Sequence, residues 1–89
     1  DFERFPCLAL AYQALNTGGT STAILNAANE VAVEAFLQQQ IKFTDIARII
    51  ADVLESVTAT PADSLEQILS ADKLAREAAQ KQTKILCNH

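Results

Sequence analysis

Glu30 and Glu34 are the residues best spaced for chemistry, two carboxylates four apart on a stretch that reads as helix. Such a pair shares a helix face and can in principle hold a cation. Helical di-iron sites, however, also need a Glu-x-x-His pattern that is absent here, so two solvated glutamates on a polar stripe is the simpler reading. Asn26 and Asn29 are less ordinary, because asparagine is a mediocre helix former and two of them beside Glu30 gather amide donors and acceptors in one place. They are either exposed side chains of no consequence or groups that bond a neighbouring segment. Val33 and Leu37 project on the same side, and Asn26, Asn29, Glu30, Val33 and Leu37 together make a candidate domain interface.

The remaining reactive types are sparse. Cys7 and Cys87 stand far apart, in no paired spacing and without a neighbouring ligand, which argues against zinc and for two reduced thiols, with Cys7 expected to help fill a core. His89 is the single histidine and the last residue, a frayed end rather than a catalytic base. Gly18-Gly19 ahead of a helix start could cradle an anion, but no Walker lysine or dinucleotide spacing accompanies it, and plain capping is the expectation. No nucleophile with a base, no carboxylates paired across a cleft and no ligand cluster can be read from spacing. Catalytic, cofactor-binding and metal residues are therefore all expected to be missing from this chain.

The elements that would position these residues read as helices throughout. Leu25 to Leu37 is rich in alanine and free of Gly and Pro, with Ile24, Leu25, Ala28, Val31, Ala32, Ala35 and Phe36 on one apolar arc. The alanines should let another helix approach closely. Before this central helix, Pro6 opens a short one carrying Leu8, Ala11, Tyr12 and Leu15, ended by Gly18 or Gly19. Thr20, Ser21 and Thr22 offer three hydroxyls as possible caps for the central helix, which should run to about Gln38 or Gln40. Thr44 is the expected N-cap of a third helix with Asp45 at its first position, and Ile46, Ile49, Ile50, Val53, Leu54 and Val57 form the cleanest stripe in the chain. Pro61 stops it. Ser64 and Gln67 then read as a capping box for one or two turns with Leu65, Ile68 and Leu69 inward, and Ser70 as the cap of a last helix, Ala71 to about Leu86, with Leu74, Ala75, Ala78, Ile85 and Leu86 on its apolar side. Arg48 with Asp52, and Glu77 with Lys81, are expected surface pairs. The expected fold is all-α, a small four-helix bundle with one additional short helix and antiparallel neighbours, in a single domain over residues 1–89.

Composition bounds the function. Eighty-nine residues with 7 Lys and Arg against 11 Asp and Glu give a net charge of -4 and no basic footprint for nucleic acid. No apolar run approaches the roughly 20 residues that span a bilayer, and Asp1-Phe2-Glu3-Arg4 does not read as a signal peptide. The abrupt opening without a methionine suggests a piece of something longer.

Three runs carry a resemblance. Phe5-Pro6-Cys7-Leu8 with Ala9 to Ala11, Leu25-Asn26-Ala27-Ala28-Asn29-Glu30-Val31-Ala32-Val33 with Ala35-Phe36-Leu37, and Phe43-Thr44-Asp45-Ile46 resemble the C-terminal domain of 1-deoxy-D-xylulose 5-phosphate reductoisomerase. Leu69-Ser70-Ala71-Asp72 with Ala75-Arg76-Glu77 is similar to that family's closing helix. Phe5 stands where the family often has tyrosine, and Gly19 to Ser21 replace a stretch often richer in alanine. The resemblance implies a three-domain enzyme of the non-mevalonate isoprenoid pathway that makes 2-C-methyl-D-erythritol 4-phosphate with NADPH and a divalent metal, Mg²⁺ or Mn²⁺. It also implies a homodimeric parent in a bacterial cytoplasm or a plastid-type organelle. Only the last domain is matched, so the implied role is structural, bracing the parent's catalytic domain without turnover of its own. The alternative from another class is a free-standing helical protein-interaction module.

Overall fold

Four helices follow one another in the computed structural model, which describes residues 6–87: α1 (Pro6–Thr17), α2 (Ser21–Leu37), α3 (Phe43–Ser56) and α4 (Leu65–Cys87). There is no strand among the described residues. The readings made for Asp1 to Phe5 and for His89 lie outside them.

Each helix boundary has a local cause. Thr17 ends α1 because Gly18 and Gly19 both take left-handed backbone, with φ of 74° and 57°. Leu37 ends α2 in a Schellman arrangement: the Gln40 N–H reaches the Ala35 carbonyl and the Gln39 N–H the Phe36 carbonyl, each at 2.9 Å. Gln39 holds the left-handed position, at φ 63°, where glycine is usual. α3 starts earlier than its sequence suggests. Lys42 is the N-cap, and its backbone N–H donates to the Asp45 carboxylate at 3.0 Å, so Asp45 lies in the first turn but closes it from the third position. Thr44 is inside the helix. The exposed ring of Phe43 meets Phe36 edge-on with centroids 5.6 Å apart.

The additional short helix does not exist. Ser64 does cap, its Oγ accepting the Gln67 N–H at 3.3 Å, while the Gln67 side chain accepts from the Asp63 N–H at 2.9 Å. From there α4 runs unbroken for 23 residues, with Ser70 in its interior. Serine costs a helix little, and nothing between Leu65 and Ala71 breaks one.

Packing is built on small residues. Ile24, Ala27, Ala28, Ala32 and Ala35 of α2 are buried against Ile46, Ile49, Ile50 and Val53 of α3 and Ala71, Ala75 and Ala79 of α4. α2 makes its most extensive contact with α4, where alanine faces alanine and the backbones approach closely, as the alanine-lined arc of α2 requires. Thr83 prolongs the α4 stripe and satisfies its hydroxyl on the Ala79 carbonyl at 2.8 Å. The chain reverses through residues 38–42 and again through the loop 57–64. α2 and α4 consequently run the same way, with Glu30 opposite Arg76 and Leu37 sharing a groove with Lys84 and Cys87.

Several residues expected inside are outside. Leu65 is 69% exposed, and Leu69, Leu74 and Ile85 are also uncovered, because the buried face of α4 is the Ala71-Ala75-Ala79-Thr83 row and the larger aliphatics lie to either side of it. Among the described side chains of α1 only Ala14 is buried, with Leu10 packed against the core. Leu8, Tyr12, Leu15 and Cys7 are exposed. The domain measures 38 × 29 × 18 Å, and α1 meets the core through Leu10 and Ala14.

The loop from α3 to α4 is pinned to the α1–α2 turn. Thr20 N–H donates to the Thr60 carbonyl at 2.8 Å, and Thr60 N–H donates to the Thr20 hydroxyl at 2.9 Å. Thr20 holds the N-cap position of α2, but its hydroxyl serves this bridge, and none of the three candidate hydroxyls makes a side-chain cap there.

Candidate functional site

An open groove of about 1030 Å³ lies between α2 and α4. Its α2 wall carries Asn29, Glu30, Val33 and Leu37, four of the five residues that the sequence assigns to an interface. Asn26 is exposed on the same helix but does not line it. Leu37 is 72% exposed, whereas Val33 is half-buried and packs against the core cluster, so the two aliphatics differ in how much water they meet.

Glu30 is not simply solvated. Its carboxylate pairs with the Arg76 guanidinium across the groove, and Arg76 Nε also donates to Asp72 at 2.8 Å one turn back on α4. The Asp72 hydrogen bond, then that of Glu30, pushes the Arg76 pKa above its already high ordinary value, so the guanidinium stays charged. The three groups link the parallel helices at a surface position, where such pairs contribute little energy. Glu34 instead accepts from the Gln38 amide at 2.9 Å. The expected Arg48–Asp52 and Glu77–Lys81 pairs are not formed; their spacing permits contact without compelling it. Arg76 is the residue that sequence reasoning missed, because its partner on α2 is remote in the chain and only the parallel packing brings them together.

As chemistry, the groove offers an apolar floor edged by amides and paired charges. Among the described residues no three of His, Cys, Asp and Glu come together to hold a metal ion. At the Gly18-Gly19 turn the Thr60 carbonyl lies against Gly19, where a Cβ would stand 2.3 Å from its oxygen, while Gly18 has nothing within 4 Å of such a Cβ. No helix among the described residues is long and apolar enough to cross a membrane.

Fold and groove together define a small helical packing domain, one whose distinctive feature is uncovered apolar surface and not an enclosed site. The chain belongs to the DXP reductoisomerase C-terminal domain family, whose profile matches residues 1–78. It is 65% identical over 79 residues to the 1-deoxy-D-xylulose 5-phosphate reductoisomerase of Cupriavidus pinatubonensis, covering 89% of this chain and 20% of that protein. The enzyme of the same name from Ralstonia pickettii is 54% identical over 87 residues, covering 98% and 22%. Among solved structures, the reductoisomerase from Zymomonas mobilis in complex with NADPH superposes with a TM-score of 0.89 at 43% identity, over 94% of this chain and 22% of that one. The chain thus spans about a fifth of the length of these relatives.

Proposed function

We propose that this chain is the C-terminal domain of a reductoisomerase that converts 1-deoxy-D-xylulose 5-phosphate to 2-C-methyl-D-erythritol 4-phosphate, using NADPH and Mg²⁺ or Mn²⁺, within a homodimeric enzyme of a bacterial cytoplasm. Its own part is structural: it braces the catalytic domain and turns nothing over alone. The observation that carries this reading is the similarity along nearly the whole chain to enzymes about five times its length.

NADPH and the metal do not fit the residues present. A dinucleotide needs a glycine-rich turn that its pyrophosphate can approach, and at Gly19 the Thr60 carbonyl stands in that approach; a metal needs converging ligands, which the described residues do not assemble. In this proposal both groups are held by the rest of the longer enzyme. Asn26, Asn29, Glu30, Val33 and Leu37 are proposed as contacts with the catalytic domain, supported by the apolar floor of the α2–α4 groove and its uncovered Leu37.

The test has two arms. Full-length polypeptide should oxidise NADPH in the presence of substrate and Mg²⁺, and the 89-residue chain should give no saturable heat when titrated with NADPH. Saturable nucleotide binding by the chain, or a full-length protein that consumes no NADPH, overturns the reading.

A further inference from the structure

The chain crosses from α3 to α4 with little to hold it. Thr58 and residues 60–64 are exposed, and only Val57 and Ala59 pack, half-buried, against the core cluster. Nor is the far end anchored at once: from Leu65 to Ser70 no residue of α4 is buried, and Ala71 is the first that is. Among the described residues, the hydrogen bonds that tie this stretch to anything outside α3 and α4 are the two it makes with Thr20.

Both bonds join the same two residues, Thr20 N–H to the Thr60 carbonyl and Thr60 N–H to the Thr20 hydroxyl, so neither can part without straining the other. Thr20 is buried, and a hydrogen bond shielded from water is electrostatically stronger than an exposed one. The Thr20 carbonyl also accepts from the N–H of Ile24, which fixes the pair to the first turn of α2. Gly19, left-handed and without a Cβ, lets the Thr60 carbonyl come close enough to bond. The turn at the other end of α2 is built differently: the N–H groups of Gln38, Gln39 and Gln40 all bond to carbonyls of α2 itself, so that turn is closed without help from α4.

We propose that residues 57–70, the loop with the first turns of α4, form a strap that opens as one unit about Ala71, with the Thr20–Thr60 pair as its latch, while the rest of the domain stays folded. Opening the strap breaks that pair and lifts Val57 and Ala59 off the core. Ile24, Ile49, Ile50 and Val53 stay enclosed until α2 and α3 themselves separate. A segment with few buried contacts opens at a lower free energy than the whole domain unfolds, and amides within it exchange accordingly sooner. The device is a property of the four helices alone and holds whatever longer polypeptide carries them.

The experiment is native-state hydrogen exchange on the 89-residue chain, followed amide by amide by NMR. Once intrinsic rates are divided out, the N–H groups of Thr20, Thr60, Leu69 and Ser70 should exchange within about fivefold of one another, and at least about tenfold faster than those of Ile49, Ile50 and Val53. A Thr20 or Thr60 amide as slow as the core, or a wider spread within the set, overturns the proposal. Thr20→Val then removes the acceptor of the Thr60 N–H and leaves the Thr20 N–H with its own acceptor. All four amides should nevertheless speed up by about tenfold, the worth of roughly one hydrogen bond, while Gln39, Gln40 and the amides from Ala75 to Ala79 keep their rates, and Thr20→Ser should behave as wild type. Acceleration of Thr60 alone would show two independent bonds in place of a latch. The wild-type comparison decides the matter even where the valine variant does not fold.

Discussion

Replacing each of the two adjacent glycines by alanine separates backbone strain from the loop bridge. At Gly18 a Cβ meets nothing within 4 Å, so Gly18→Ala pays only for left-handed backbone. That strain is about 1–2 kcal/mol, less some 0.4–1 kcal/mol recovered from a stiffer unfolded chain, for a net cost of about 1 kcal/mol. At Gly19 the same strain applies, but the Cβ would lie 2.3 Å from the Thr60 oxygen, and that carbonyl must retreat by about 1 Å to reach ordinary contact. The Thr20 N–H bond to it, now 2.8 Å, then passes out of range, and the return bond from Thr60 N–H to the Thr20 hydroxyl is strained with it. Thr20 is buried, so its freed groups have no water to turn to. With about 1 kcal/mol per lost bond and some desolvation, Gly19→Ala should cost about 3–4 kcal/mol in all. At about 4–8 °C per kcal/mol for a domain of this size, Gly18→Ala lowers Tm by roughly 5 °C and Gly19→Ala by roughly 15 °C or more, read by circular dichroism melts. Melting temperatures within a few degrees of each other would refute the claim that the bridge holds the α3–α4 loop. Thr20→Val tests the bridge independently: it leaves the Thr60 N–H without its acceptor and should cost about 1–3 kcal/mol, while Thr20→Ser should cost much less.

Ile50→Asp puts an unpaired charge into the core, at a cost of several kcal/mol against a total stability of about 5–10, and should abolish the cooperative melt. Lys81→Gln on the surface should stay within about 0.5 kcal/mol of the parent, and equal melting of those two variants would show the α3 core face to be misassigned. Gln39→Gly relieves the left-handed backbone after α2 and should raise stability by about 0.5–1 kcal/mol in urea unfolding; a lowered midpoint would contradict the Schellman assignment. In the 89-residue chain Leu37→Gln should be nearly neutral and Val33→Gln should cost about 1 kcal/mol, whereas in the full-length enzyme both should cost about 1 kcal/mol or more if the groove docks on the catalytic domain. A neutral Leu37→Gln in the full-length enzyme would remove that residue from the interface.

The sequence by itself settled the helical class and the face of α3. Local propensity and 3.6-residue periodicity are properties of neighbouring residues, and Ile46, Ile49, Ile50 and Val53 declare a core whatever packs on them. The alanine arc of α2 was legible for the same reason, since small side chains ask for a close neighbour. It could not name that neighbour. Which helix answers was decided in space, by α4 running parallel to α2 and setting alanine on alanine, and with it Arg76 opposite Glu30. Leu65, Leu69 and Leu15 stay outside, although their hydrophobicity alone predicts burial: the buried row of α4 is Ala71, Ala75 and Ala79, and α1 packs on the core through Leu10 and Ala14. The break that Ser70 suggests does not occur, because a good capping residue stops a helix only where the chain turns, and the residues on either side of it are compatible with helix. Conversely, the role of Thr20 could not be seen in the sequence at all, since its partner, Thr60, lies forty residues away and meets it only when the loop folds back on the Gly18-Gly19 turn.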